Sequence, residues 1–301
     1  MRKIVNTVGA ALAATTLATG VQLSTPVAAV TAATTTQATT TQATRTGATT
    51  VTAPGAHAQR STARRSAYVR SVLRDRPTAL LKGLRDVAGG ASGRAVGGPS
   101  RVRMPNGDPA YRFDGRGQYL QFGNRRAFEI AATGALTVEF WMRPDVLQFA
   151  RTEGSGYVYT MGKGSPGQHE WYTRMYSYTN QENRPNRISG YAFNPAGGLG
   201  AGSYFQDVVR PHRWIHVTLV VNANARSSRY PMGYTRIYKN GVLRDTDSLA
   251  DYGIVPRSGT APLRIGTGYL QSFFQGAIGD VAFYDHELSS VRIRAHYAAR
   301  R

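Results

Sequence analysis

The chain has 301 residues and carries 37 basic against 17 acidic side chains, a formal charge of +20, with no cysteine. Without thiols there can be no disulfide staples or thiolate metal sites, so the core must be held by packing. The positive balance favours polyanionic partners through an attraction that salt weakens. Only four of the basic residues are lysine, and a GC-rich genome is sufficient reason for that arginine excess.

Arg2 and Lys3 precede an apolar run over residues 4–18, and Val27 and Ala29 stand like the −3 and −1 residues of a cleavage site. Residues 1–29 therefore read as a secretory signal peptide, too short and too rich in Thr and Ala for a membrane span. No later stretch reads as a transmembrane segment. The expected location is extracellular, with cell-wall association. Residues 30–59 are Thr-rich, with Ala-Thr-Thr-Thr-Gln repeated at 33–37 and 38–42. They read as a disordered linker, lacking the apolar bulk that offsets chain entropy.

Residues 60–98 read as a basic, partly helical arm; residues 1–103 hold 14 basic and two acidic side chains. Ser61 is expected to cap a helix containing Val69, Val72 and Leu73 and stopped by Pro77. Thr78 is expected to cap a second containing Leu80, Leu81, Leu84 and Val87, stopped by Gly89-Gly90. Arg64, Arg65, Arg70, Arg74 and Arg76 decorate the first. Such a segment is either a solvated linker or a surface that docks on anionic lipid or wall polymer.

From Pro99 onward the two-residue period of strands takes over. Residues 110–113 and 119–122 flank Asp-Gly-Arg-Gly, read as a hairpin turn. Leu136, Val138, Phe140 and Met142 alternate with Thr137, Glu139 and Trp141. Further strands are expected over 157–161, 171–178, 187–193, 214–221, 234–239, 242–246, 263–266 and 277–284. Asn240-Gly241 gives the strongest hairpin signal. Ser289 is positioned to cap a short helix through Val291, Ile293 and Tyr297. With no crossover helices between strands, residues 99–301 are predicted to be an all-β, antiparallel sandwich or jelly roll. Trp141, Trp171 and Trp214 are expected in its core.

Five phrases carry a family resemblance: residues 110–122, 136–144, 213–221, 237–243 and the closing Gly-Ala-Ile-Gly-Asp-Val-Ala-Phe-Tyr-Asp-His-Glu-Leu-Ser of 276–289. In this order they resemble a LamG-like jelly roll of the laminin-G and concanavalin A-like lectin type. The resemblance spans about the last two-thirds of the chain. It implies that the first and last strands pair and bring Asp114 near Asp280, where similar domains hold Ca²⁺. A calcium shell needs six to eight hard oxygens. Taken on their own, Asp114 is a turn former and Asp280 a bulge residue.

The densest polar-aromatic cluster is His169-Glu-Trp-Tyr-Thr-Arg-Met-Tyr-Ser-Tyr178. Alternation sets Glu170, Tyr172, Arg174, Tyr176 and Tyr178 on one face. With Arg184 they make a candidate ligand site, since tyrosine rings stack on sugars and arginine reads carboxylate or sulfate. The alternative is an ordinary solvent face. Retaining-glycosidase carboxylates are not evident: Glu139 stands alone among apolar neighbours. His169, Tyr172 and Arg174 could mimic a lyase base and its helper, and His216 reads as a satisfied core histidine.

The function expected is a non-catalytic module binding a glycan or anionic cell-wall polymer. The alternatives are a lyase or hydrolase of anionic glycans, and a structural surface protein with a protein partner. No phosphate loop, metal-ligand His pair or recognition helix points to other chemistry or to specific nucleic-acid binding.

Overall fold

A computed structural model describes residues 65–300. The expected signal peptide, the expected Thr-rich linker and the expected cap at Ser61 lie outside the described residues. Sixteen strands form two sheets, every pairing antiparallel. The strands before the middle of the chain are β1 (Ala79–Lys82), β2 (Arg85–Asp86), β3 (Gly93–Val96), β4 (Ser100–Arg103), β5 (Pro109–Asp114), β6 (Tyr119–Phe122), β7 (Ala135–Pro144) and β8 (Tyr157–Lys163). Then come β9 (Trp171–Tyr176), β10 (Ile188–Ala192), β11 (Ala201–Phe205), β12 (Ile215–Asn222), β13 (Tyr234–Lys239), β14 (Val242–Ser248), β15 (Leu263–Ile265) and β16 (Gln275–Tyr284).

A nine-stranded sheet runs β14-β13-β12-β7-β16-β1-β2, with β5 also on β16 and β4 on β5. A seven-stranded sheet runs β11-β10-β9-β8-β15-β6-β3. The alternation predicted for β7 is the one observed. Leu136, Val138, Phe140 and Met142 enter the core between the sheets, where they join Leu219, Trp171, Met175 and Ile188. The Trp171 indole donates to the Phe128 carbonyl at 2.8 Å, so its one polar group is satisfied inside the core.

Two helices cover the outer face of the nine-stranded sheet. In α1 (Ala67–Arg74) the Ser66 hydroxyl accepts from the Val69 amide, and in α2 (Ser290–Ala298) Ser289 does the same for Arg292. Tyr68, Val69 and Val72 of α1 and Ile293 of α2 bury against Leu80, Trp141, Val220, Tyr238 and Tyr284 in a second, smaller core.

Several expectations are corrected. The second arm helix, over Leu80 to Val87, is the hairpin β1–β2, turned at Gly83 with φ +68°. Leu81 faces the main core and Leu80 the outer one, so adjacent leucines bury on opposite sides, as only a strand allows. Asp86 holds the segment by accepting from the amides of Leu80, Ala88, Gly89 and Ala91. Residues 79–96 thus contribute strands to both sheets, N-terminal to the boundary expected at residue 99. The Asp-Gly-Arg-Gly turn is not a hairpin: β5 lies in one sheet and β6 in the other. Asn240 and Gly241, at φ +53° and +79°, do turn a hairpin between β13 and β14. Trp141 and Trp171 are buried, whereas Trp214 is half-buried at the surface.

Candidate functional site

The outer face of the seven-stranded sheet is paved with tyrosine and arginine. On β9, Trp171 and Met175 point into the core, so Tyr172, Arg174 and Tyr176 point outward, as alternation predicts. Their cross-strand partners extend the pattern. Arg174 stands opposite Tyr159 of β8 and Ser189 of β10, and Ser189 stands opposite Tyr204 of β11. Tyr176 stands opposite Tyr157, and Tyr172 opposite Tyr191.

Arg174 is the centre of this face. Its guanidinium lies 3.8 Å from the centroid of the Tyr191 ring, 4.2 Å from Tyr157 and 5.5 Å from Tyr176. Burial works against its charge, but the encircling tyrosines raise its pKa above the ordinary guanidinium value. Among the described residues no carboxylate forms an ion pair with it. Its Nε–H and the neighbouring Ser189 hydroxyl also lack hydrogen-bond partners there. Two further arginines flank it. Arg187 lies 3.9 Å over Tyr204, and Arg184 donates to the Tyr176 hydroxyl at 3.1 Å while pairing with Glu182.

The layer lies flat because glycines sit beneath it. A Cβ on Gly202 of β11 would enter the Tyr191 ring, and one on Gly162 of β8 would enter the Tyr172 ring. Glycine is therefore required by close approach, not by backbone angle.

Of the residues singled out in the sequence, Tyr172, Arg174, Tyr176 and Arg184 come together. Tyr172 and Tyr176 form the buried base of the layer, not its surface. Tyr178 falls beyond the end of β9 and is 63% exposed in the following turn. Glu170 leaves the face altogether and pairs with the buried Lys163. His169 Nδ1 and the Tyr172 hydroxyl are 3.0 Å apart. Burial pushes Tyr172 well up and His169 down, which keeps the phenol protonated and unsuited to act as a base. Tyr157, Tyr191, Tyr204 and Arg187 escaped the sequence reading because strand pairing, not spacing along the chain, brings them to the site.

The pair expected to hold calcium is separated. β5 does pair with β16, but Asp114 stands opposite Gln275, five residues along the strand from Asp280. Asp114 instead accepts from the amides of Arg116 and Gly117, the turn-forming role. Asp280 sits at the bulge in β16, at φ +48°. Burial, then the nearby Asp108 carboxylate, push Asp280 well above the usual carboxylate range. Asp108 is itself paired with the Lys82 ammonium and accepts from Asn106 at 2.9 Å. Asp114 and Asp280 do not come together into a shared calcium shell; Lys82 pairs with Asp108, and both buried oxygens of Asp280 lack a hydrogen-bond partner among the described residues.

The opposite outer face holds a closed polar network beneath α1 and α2. Glu139 is fully buried; its carboxylate accepts from Tyr284 at 2.7 Å and contacts His296 Nδ1 at 2.9 Å and His216 Nε2 at 3.2 Å. His296 Nε2 meets Asp75 at 2.6 Å. With carboxylates on both ring nitrogens, His296 is an imidazolium donating twice. Burial opposes both charges. Hydrogen bonds from the two histidines hold Glu139 well below the carboxylate range, and Glu139 with Asp75 holds His296 above the ordinary histidine value. His216 is buried in the core, as expected, but only its Nε2 finds a partner; its Nδ1 has none among the described residues.

A laminin-G-type family model, described as the concanavalin A-like lectin/glucanases superfamily, matches residues 114–294, more than half of the chain. The chain belongs to this superfamily. Its two antiparallel sheets agree with that membership, and β1 to β4 together with most of β5 precede the matched region. No curated protein matches the chain. Among solved structures it is similar to the ligand-binding domain of botulinum neurotoxin serotype D in complex with N-acetylneuraminic acid, at 16% identity and a TM-score of 0.56. That match covers 77% of this chain and 52% of the other. The binding domain of botulinum neurotoxin DC in complex with SialylT matches at 14% identity and a TM-score of 0.54, covering 76% and 52%. This chain therefore spans about half the length of those chains, and at such identities the likeness is one of fold alone.

Proposed function

We propose that the chain is a secreted, non-catalytic glycan-binding module whose ligand lies across the outer face of the seven-stranded sheet. The observation that carries this reading is Arg174: a half-buried cation in a tyrosine cage with no ion-pair partner among the described residues. Tyrosine rings offer flat apolar area to the C–H faces of a sugar, and a guanidinium offers a fork to its carboxylate or sulfate. Arg184 and Arg187 extend the cationic character along the face, so an acidic polysaccharide such as a wall polymer suits it better than a neutral one. Membership of a lectin-containing superfamily and fold neighbours solved with sialic-acid ligands support the same class of ligand.

The test is retention of the full-length protein by immobilised acidic and neutral polysaccharides. Uronate- or sulfate-bearing chains are expected to retain it, and the pair Tyr178→Ala and Arg184→Ala to weaken retention by about tenfold, the scale of one lost charge-assisted contact. Retention by no glycan, or undiminished retention of both variants, would overturn the reading. Release of unsaturated sugar products would move it to a lyase.

A further inference from the structure

The helices α1 and α2 pack on the outer face of the nine-stranded sheet and leave a gap at one end. There the turn after β4, the residue before β12 and the last turn of α2 stand apart and enclose a hollow of 320 Å³. Small-molecule sites run from about 300 to 1,000 Å³, so the space suits one ring-sized ligand. Trp141, Trp214 and Tyr297 line it, and Arg300 stands at its edge, 4.0 Å over the Tyr297 ring. The hollow continues, past the shared Met104, Pro105 and Trp214, into a second of 550 Å³ edged by Arg103, Arg143 and Arg213.

Charge at this end is one-sided. Asp145 alone faces Arg112, Arg143 and His212, at 3.2 Å from Arg143 and 3.4 Å from His212. No carboxylate among the described residues pairs with Arg103, Arg213 or Arg300. The buried Nε–H of Arg143, whose guanidinium lies 5.5 Å from the Trp214 ring, has no acceptor there. An aromatic-walled hollow beside unpaired guanidinium groups is chemistry for a ring with an apolar face and an attached anion.

We infer that this hollow is a second binding site, for a single acidic sugar residue. Its pyranose ring lies against Trp214 and Tyr297, and its carboxylate is held by Arg143 with Arg213 and Arg300. The site is on the sheet opposite Arg174 and does not rest on the function proposed above.

The test titrates the full-length protein with glucuronate, galacturonate, N-acetylneuraminic acid, glucose and benzoate, following tryptophan fluorescence and equilibrium dialysis. At least one sugar acid is expected to saturate, and glucose not. Arg213→Ala, an exposed change that leaves the core intact, is expected to weaken binding about tenfold. Trp214→Leu is expected to abolish the fluorescence response and to remove one bound sugar acid per chain in dialysis, while Arg184→Ala, on the other sheet, leaves the fluorescence response unchanged. The inference is overturned by failure of every sugar acid to saturate or by glucose binding equally well. Tighter binding of benzoate, an unaffected Arg213→Ala, or equal loss in Arg184→Ala would also overturn it. Because Arg184→Ala and Arg213→Ala report on different faces, the two functional readings fail separately.

Discussion

The two outer faces of this sandwich begin from the same strand geometry and end as opposites. On the nine-stranded sheet, Glu139, His216 and Tyr284 point outward, are roofed by α1 and α2, and have their charges matched internally by His296 and Asp75. On the seven-stranded sheet, Tyr157, Arg174 and Tyr204 point outward under no helix, and the central cation is cradled by rings instead of by a counter-ion. A buried charge is tolerated only when paired and hydrogen-bonded. The first face meets that condition within the protein; the second leaves room for a partner to meet it.

The largest effect should come from opening the closed face. Glu139→Ala strips His296 and His216 of their shared acceptor and is expected to cost about 3–5 kcal/mol, the scale for breaking a buried ion pair, measured by denaturant unfolding. A cost near zero would mean that the network is not closed. The same face sets the pH profile. Glu139 is depressed in the fold, so its contribution is present above the unfolded carboxylate pKa and is lost as pH falls through the folded value. His296 is raised, so its contribution is full below the unfolded histidine pKa and fades as pH rises through the folded one. Stability from this network should therefore peak between about pH 4.5 and 6.5, and the acid-side slope should flatten in Glu139→Gln. A melting temperature that rises steadily from pH 5 to 8 would contradict the assignment.

On the open face, Gly202→Ala drives a methyl group into Tyr191 and should cost about 1–3 kcal/mol by overpacking, with weaker glycan retention. Tyr178→Ala, at a 63% exposed side chain, should shift stability by no more than about 0.5 kcal/mol. If that variant destabilises as much as Gly202→Ala, the face is structural. The smallest expected effect is that of calcium. Millimolar Ca²⁺ should leave the melting temperature unchanged, because Asp114 stands apart from Asp280 and Asp108 is already paired with Lys82. A calcium-dependent rise that disappears in Asp280→Ala would reinstate a metal there.

What the sequence revealed was what is local. The β13–β14 hairpin is written in Asn240-Gly241, whose residues adopt the left-handed angles its turn needs. The outward set on β9 follows from a period of two. What stayed hidden depends on neighbours. Strand β11 was missed because Ala201-Gly-Ser-Tyr-Phe reads as loop, and Gly202 is there only to admit Tyr191 from the next strand. The strand β1 resembles a helix in sequence because Leu80 and Leu81 bury on opposite faces, which removes the alternation that marks a half-buried strand. Half of the tyrosine and arginine face was visible in residues 172–184; the other half is supplied by β8, β10 and β11. His296, which pairs with Glu139, and Asp75, which pairs with the other nitrogen of His296, come from beyond both ends of the predicted core strands.

The position of β16 has a consequence for how the molecule is made. It is the last strand in the sequence, yet it lies inside the nine-stranded sheet, bonded to β7 on one side and to β1 and β5 on the other. The sheet cannot close until β16 has left the ribosome, and its contacts join residues some 200 positions apart, such as Ala79 and Phe283. Such non-local pairing favours slow acquisition of structure. The edges of β1, β5 and β7 would thus stay open in the nascent chain until β16 is made.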